Sequence, residues 1–274
     1  MCGIFGIAFL KGNNVSNVRD VTKLVRGLFK RVESRGKKAS GLALVSPREI
    51  DVLKAPVSGS VFIETPEFAQ LMNKKLRVEQ RHLEVERTTF IIGHCRFDTK
   101  GAPENNDNNH PIVVGTTVGV HNGVIINDDD VYDTFKYTAR FPKRIAEVDS
   151  EIIFALIDYY HTKMSYTLVE AIRAVHKELT GGFACATVNT SNPYLMGLFK
   201  KSNPISVIHL VKADVIVFAS EFFMATEAVK EVNLGSYREI AMGLDEIMLV
   251  NVHENEYSIH PLSNSGGGFH NAYS

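Results

Sequence analysis

Residues 2–10 read CGIFGIAFL, nine residues with no charged side chain. A helix that crosses a bilayer needs about 20 apolar residues, so this run is too short to be one. No basic residue precedes it, and Lys11 follows before any small-residue cleavage site, so it does not read as a secretory leader either. It reads as a buried strand. The same run places cysteine directly after the initiator methionine. Removal of Met1 would leave Cys2 carrying a thiol and a free α-amine on one residue. Free cysteine is also among the most buried residue types, so position alone leaves a core role equally open.

The rest of the composition sets limits. With 274 residues the chain is one large domain or two small ones, long enough to bury a substantial core. A formal net charge of -1 gives no reason to expect nucleic acid or a membrane surface as partner. Three cysteines, Cys2, Cys95 and Cys185, are too few for a disulfide framework and point to a reducing, cytoplasmic setting.

Beyond the first strand, Val18, Val21, Leu24, Val25, Leu28 and Val32 recur at helical spacing. A glycine-bearing turn at 34–41 leads into a strand, with an antiparallel partner at 49–56. Residues 62–87 are charged and helix-prone, and read as a surface excursion. TTFIIGHCRF is a buried strand followed by a loop rich in Asn, Asp, Gly and Pro. IVVGTTVGVHNGVI reads as a strand hairpin. Two amphipathic helices follow, the first with Ile152, Ile153, Leu156, Ile157 and Tyr160 on one side. The remainder is mostly strands with one short helix at 223–232, ending in a glycine- and serine-rich tail. Strand and helix groups are segregated, which makes the chain α+β.

Three clusters carry chemistry: GHCRFDTKG at 93–101, HNG at 121–123 and VDSE at 148–151. Each lies at the rim of a strongly apolar element, where functional side chains concentrate. Singly, each has a plain structural reading. Arg96 suits a surface ion pair, Asn122-Gly123 a two-residue hairpin turn, and Asp149 a helix cap.

In order, CGIFGI, RGKKASGLALV, GHCRFDTKG, NNHPI, VHNGVI and EVDSE resemble the class II glutamine amidotransferase domain, an N-terminal-nucleophile (Ntn) hydrolase, most like the glutaminase domain of glucosamine-6-phosphate synthase. The resemblance spans residues 2–252, leaving 253–274 as a C-terminal strand and flexible tail. It implies a four-layer αββα sandwich of mainly antiparallel sheets. It implies that L-glutamine is hydrolysed to glutamate and ammonia through a thioester at Cys2, with the α-amine as base. A free α-amine titrates near pH 8, close to working conditions.

By the same resemblance, Asn122 and Gly123 form the oxyanion hole, and Arg96 and Asp149 take the α-carboxylate and α-ammonium of the substrate. Phe97, Thr99 and His110 match substrate-lining positions. Arg35, Gly36 and Ser40 match the turn beside the nucleophile, with Arg35 holding the terminal segment. His94 and His121 read as structural, and His110 as a locally hydrogen-bonded loop residue. No metal-ligand spacing and no phosphate-binding glycine loop is present, so neither metal nor cofactor is expected.

Where related domains carry TRWATHG, this chain has Cys95, Phe97, Asp98 and Lys100. Phe97 replaces a tryptophan that gates ammonia passage, and Lys100 alters the rim of the glutamine pocket. The tail is too short for a synthase domain, so a separate ammonia-accepting synthase subunit is the expected partner. Two other readings remain: an Ntn hydrolase acting on another amide, for which the Arg96–Asp149 pair is ill suited, or a catalytically silent regulatory module.

Overall fold

The structure, a computed structural model, describes residues 1–11, 13, 18–78, 88–97, 100–232 and 234–263. In chain order the first half comprises β1 (Gly3–Phe9), α1 (Val18–Val32), β2 (Ala39–Val45), β3 (Ile50–Ala55), α2 (Gly59–Phe62), α3 (Pro66–Val78), β4 (Phe90–Arg96), β5 (Ile112–Val114) and β6 (Thr117–Ile125). It continues with α4 (Asp128–Phe135), α5 (Glu151–Thr162), α6 (Leu168–Glu178), β7 (Gly181–Asn189), β8 (Leu195–Lys200) and β9 (Ser206–Leu210). The last elements are β10 (Val215–Ala219), α7 (Phe222–Lys230), β11 (Tyr237–Ile240), β12 (Glu246–Asn251) and β13 (Glu256–Pro261).

The strands form two sheets. One has the order β11-β9-β10-β1-β4-β2-β3, the other β13-β12-β8-β7-β6-β5. Every strand pairing described is antiparallel. The opening apolar run is central because β1 is covered on both faces. Ile4 and Ala8 point into a core shared by the two sheets, and Phe5, Ile7 and Phe9 into a core under the helices. Strand alternation requires this split, since successive side chains leave opposite faces.

Three apolar layers follow. The middle one joins Ile4, Ala43, Phe90 and Ile92 of the first sheet to Val118, Val120, Ala184 and Met248 of the second. Outside the first sheet lie α1, α2, α3 and α7. Outside the second lie α4, α5 and α6. The result is the four-layer αββα sandwich.

Helix α1 buries Val21, Leu24, Val25, Leu28 and Val32, the stripe that its spacing predicts. α6 opens with a reciprocal capping box between Thr167 and Glu170. Two expectations are corrected. The 62–87 stretch is not simply a surface excursion: Phe62, Phe68 and Met72 are buried, Phe68 packs edge-on against Phe29 and Phe62, and the Phe62 ring lies tilted against Phe29. Residues 79–87 lie outside the described part. Nor is α5 amphipathic in its first two turns, because every residue from Glu151 to Asp158 is buried between the second sheet and α6. Its two buried acids are satisfied: Asp158 by Thr116 and Thr117, Glu151 by the amides of Ile145 and Ala146.

β13 is an edge strand of the second sheet, and the adjoining Leu262 is fully buried. The tail 264–274 lies outside the described residues. Among the described residues no helix is long and apolar enough to cross a membrane.

Candidate active site

The alternation that splits the cores also sorts the site. On β4, Phe90 and Ile92 face the second sheet, so His94 and Arg96 face it too, while Ile91 and Cys95 pack under the helices. Cys2 lies on the inter-sheet side by the same count from Ile4. Cys2 and Cys95 are therefore on opposite faces of the first sheet. On β6, Val118 and Val120 face inward, and Asn122 follows them two residues later, paired with the inward-facing Ala184. β1 and β4 pack directly against β6, which brings the two sets of residues to one end of the sandwich.

Cys2 is buried, and its Sγ accepts a hydrogen bond from the amide of Phe97 at 3.4 Å. Burial pushes the thiol above its ordinary value. The Phe97 amide, the terminal ammonium and Arg96 pull it down, and Asp149 opposes them. Cys95, pushed up to about 12, and Cys185, well above the ordinary value, are held as thiols chiefly by burial. With Met1 attached, the Cys2 nitrogen is an amide. Arg35 donates from Nε to the Cys2 carbonyl at 2.9 Å and pairs with Glu221, which anchors the terminal segment.

Gly36 is dictated by close approach. A Cβ there would lie 2.3 Å from the Arg96 carbonyl carbon and 2.4 Å from the Phe97 nitrogen. Ser40 sits on β2 with its Oγ bonded to the Val57 carbonyl.

Arg96 is only 2% exposed. Its guanidinium donates to Asn109 Oδ1 at 2.8 Å, to the Lys100 carbonyl at 2.8 Å and to the Gly101 carbonyl. It is thus no surface ion pair; it is locked to the loop that follows its own strand. Phe97 is 49% exposed and Thr99 lies outside the described residues.

Asn122 and Gly123 do not form a hairpin turn. Both sit inside β6, opposite Ala184 and Phe183 of β7, and the turn lies earlier, between β5 and β6. Gly123 has φ +155°, and a Cβ there would lie 2.0 Å from the Gly182 carbonyl oxygen. Both polar atoms of the Asn122 amide are buried without a hydrogen-bond partner among the described residues. Buried polar groups are ordinarily paired, so this amide is available to a ligand.

Asp149 is not the cap of α5. Its carboxylate accepts from the Ile125 amide at 2.7 Å, which ties it to the end of β6, two residues past Gly123. His121 points to the helix layer, its Nδ1 2.8 Å from Ser150 Oγ.

His110 departs from expectation. It makes no side-chain hydrogen bond among the described residues. Its ring stacks on His94, centroids 4.2 Å apart. Burial, chiefly, and the neighbouring His121 and Arg96 keep both rings neutral, with His94 lowered to about 3 and His94 adding to the effect on His110. No group of three or more His, Cys, Asp or Glu side chains suited to a metal occurs among the described residues.

No family model matches the chain. Among curated proteins it is 32% identical to the glutamine–fructose-6-phosphate aminotransferase (isomerizing) of Aeropyrum pernix over 211 residues, 76% of this chain and 30% of that protein. It is 24% identical to the Buchnera aphidicola aminotransferase of the same name, over 90% of this chain and 39% of that one. Among solved structures, glutamine phosphoribosylpyrophosphate amidotransferase from B. subtilis superposes with a TM-score of 0.64 at 18% identity, over 96% of this chain and 50% of its own. A structure described as the allosteric regulatory enzyme of purine biosynthesis gives 0.67, also at 18% identity. The chain belongs to the class II glutamine amidotransferase family. It spans about a third of the length of the curated relatives it matches.

Reading the residues alone missed the partners that hold the site residues in place. Glu221 on Arg35, Asn109 on Arg96 and the Ile125 amide on Asp149 lie 186, 13 and 24 positions from the residues they hold, and the motifs that contain Asn109 and Ile125 do not disclose these roles. The one available signal was the acidic run NDDD at 127–130, which turns out to bind Lys100 and Arg144.

Proposed function

We propose that this chain hydrolyses the side-chain amide of glutamine to glutamate and ammonia, with Cys2 as nucleophile. Removal of Met1 frees the α-amine, which takes the thiol proton as Sγ attacks the amide carbon. The oxygen of the tetrahedral intermediate is held by the Asn122 amide and the Gly123 N–H. The α-amine returns its proton to the departing nitrogen, and ammonia leaves behind a γ-glutamyl thioester. Water then attacks the thioester, the amine takes its proton, and the thiol is restored as glutamate departs.

The observation that carries this reading is the unpartnered Asn122 amide, buried on the sheet opposite Cys2. A silent scaffold has no reason to keep two unsatisfied polar atoms in its interior, because each costs roughly 1–3 kcal/mol. Arg96 and Asp149 supply opposite charges to one site, which suits a free amino acid over an uncharged amide. Phe97, Thr99 and His110 complete the substrate surroundings in this proposal, and Arg35 and Gly36 support the terminal segment. The catalytic unit is read as residues 2–252. The ammonia is read as substrate for a synthase lying outside these residues, in keeping with relatives of which this chain spans about a third. Three free, buried thiols suit a reducing, cytoplasmic setting.

The test is ammonia release from glutamine, asparagine and γ-glutamyl peptides by protein with Met1 removed, beside Cys2→Ala and a form retaining Met1. Only the processed wild type should act, and on glutamine best. Equal turnover of asparagine, or activity in Cys2→Ala, would overturn the assignment.

A further inference from the structure

Four charged side chains outside the catalytic set meet at the start of α4. Lys100 Nζ lies 2.8 Å from Asp128 Oδ2 and 2.9 Å from Asp129 Oδ2. From the other side Arg144 reaches the same two carboxylates, 2.8 Å to Asp128 and 2.5 Å to Asp129. Its guanidinium also covers the Tyr132 ring at 5.3 Å and donates from Nε to the Ala146 carbonyl at 3.0 Å.

Each arm leads to a different part of the site. The Lys100 carbonyl, with that of Gly101, accepts from the Arg96 guanidinium. Arg144 holds the segment that ends at Asp149. The helix that carries the two carboxylates begins three residues after β6, the strand of Asn122 and Gly123. A neutral link runs parallel: Asn108 donates to the Ala102 carbonyl and to Glu147, and accepts from the Glu147 amide at 2.8 Å. The loop of Arg96 and the segment of Asp149 are thus clipped together through one pair of carboxylates.

We infer that Lys100, Asp128, Asp129 and Arg144 are positioning residues which hold Arg96 and Asp149 in fixed relation to each other, and so set the affinity for the α-carboxylate and α-ammonium of a free amino-acid substrate. The inference rests on the proposed reading of Arg96 and Asp149 as the groups that hold the α-carboxylate and α-ammonium of the substrate. Exposed ion pairs alone do little. Here Asp128, its side chain only 7% exposed, serves both cations, so the cluster is an anchored network with one buried member. Losing Lys100 frees the loop beside Arg96 while Arg144 still neutralises Asp128. The loop must then be ordered by the substrate, which weakens binding. The oxyanion donors lie within a paired strand and are left in place, so turnover is spared.

The experiment measures glutamine binding by calorimetry in Cys2→Ala protein, and kcat and KM for glutamine and asparagine in the Cys2 enzyme. Lys100→Met should raise the glutamine Kd and KM about three- to tenfold, with kcat within about twofold of wild type. KM for asparagine, which carries the same two α-groups, should rise by a similar factor. Lys100→Arg should restore all three, and Asp129→Asn should resemble Lys100→Met. Lys136→Met, which removes an exposed pair with Asp133 at the far end of α4, should change none of them. Unchanged glutamine Kd and KM in both Lys100→Met and Asp129→Asn, in a background that binds glutamine, would overturn the inference. So would a fall in kcat that Lys100→Arg fails to rescue. If the Cys2→Ala parent binds no glutamine, the underlying site assignment fails first.

Discussion

The backbone amide of Phe97 donates to the Sγ of Cys2, and Gly36 packs against that same amide from the other side. The thiol is thus held by the strand beside its own, and the space for that contact depends on one missing side chain.

Gly36→Ala tests this contact. The added methyl meets backbone on β4, which gives way only by moving the Phe97 amide. A cost of about 1–3 kcal/mol in stability is expected, with kcat/KM falling more than the loss of folded protein explains. Thermal unfolding alongside kinetics checks it, and wild-type values in both would remove the contact from the account.

The thiol's surroundings make opposite predictions for two substitutions. Arg96 lowers the Cys2 pKa and Asp149 raises it. Removing the cation in Arg96→Met should therefore move the midpoint of Cys2 alkylation to higher pH, and Asp149→Asn should move it lower. Rates of iodoacetamide labelling across pH, read by peptide mass, give both midpoints. Cys95 and Cys185 should stay unlabelled in the folded protein, since burial keeps both protonated.

Asn122→Ala separates function from stability. Loss of one oxyanion donor should lower kcat by about 10²- to 10³-fold. The same change removes two buried atoms that have no partner, so the melting temperature should hold or rise. A raised KM with unchanged kcat would withdraw Asn122 from the oxyanion role.

The stacked histidines predict an acid limit to stability. His94, lowered to about 3, and His110, also lowered, stay neutral in the folded chain, while the unfolded chain protonates them near 6.5. The unfolded state then binds more protons between those values, so stability falls as pH drops through 6.5 and keeps falling toward 3. For His94 alone the loss at pH 5 is on the order of 2 kcal/mol. Denaturant unfolding at pH 7 and pH 5 measures it, and the double change His94→Phe with His110→Phe should flatten the dependence.

The elements themselves were legible in the chain. The uncharged run at 2–10 could only be a doubly covered strand, the Val18–Val32 stripe only a helix on an apolar layer, and motif order was enough to place the family. Cys2, Arg96 and Asn122 stand out as a set through the resemblance in motif order, and strand alternation in the structure puts them on facing sides of the two sheets.

Tertiary structure decided the rest, and for one physical reason: partners distant in the chain are chosen by where the layers bring them. Asn122-Gly123 looks locally like a turn, yet pairing with Ala184 and Phe183 makes it strand. Phe68 sits in a charged, surface-like stretch, yet Phe29 and Phe62 give it a core to enter. His110 has the look of a hydrogen-bonding loop residue, yet the ring of His94 lies beneath it. The hold of Asp128 and Asp129 on Lys100 and Arg144 has no local signature at all, because it exists only where the loop after β4 crosses the start of α4.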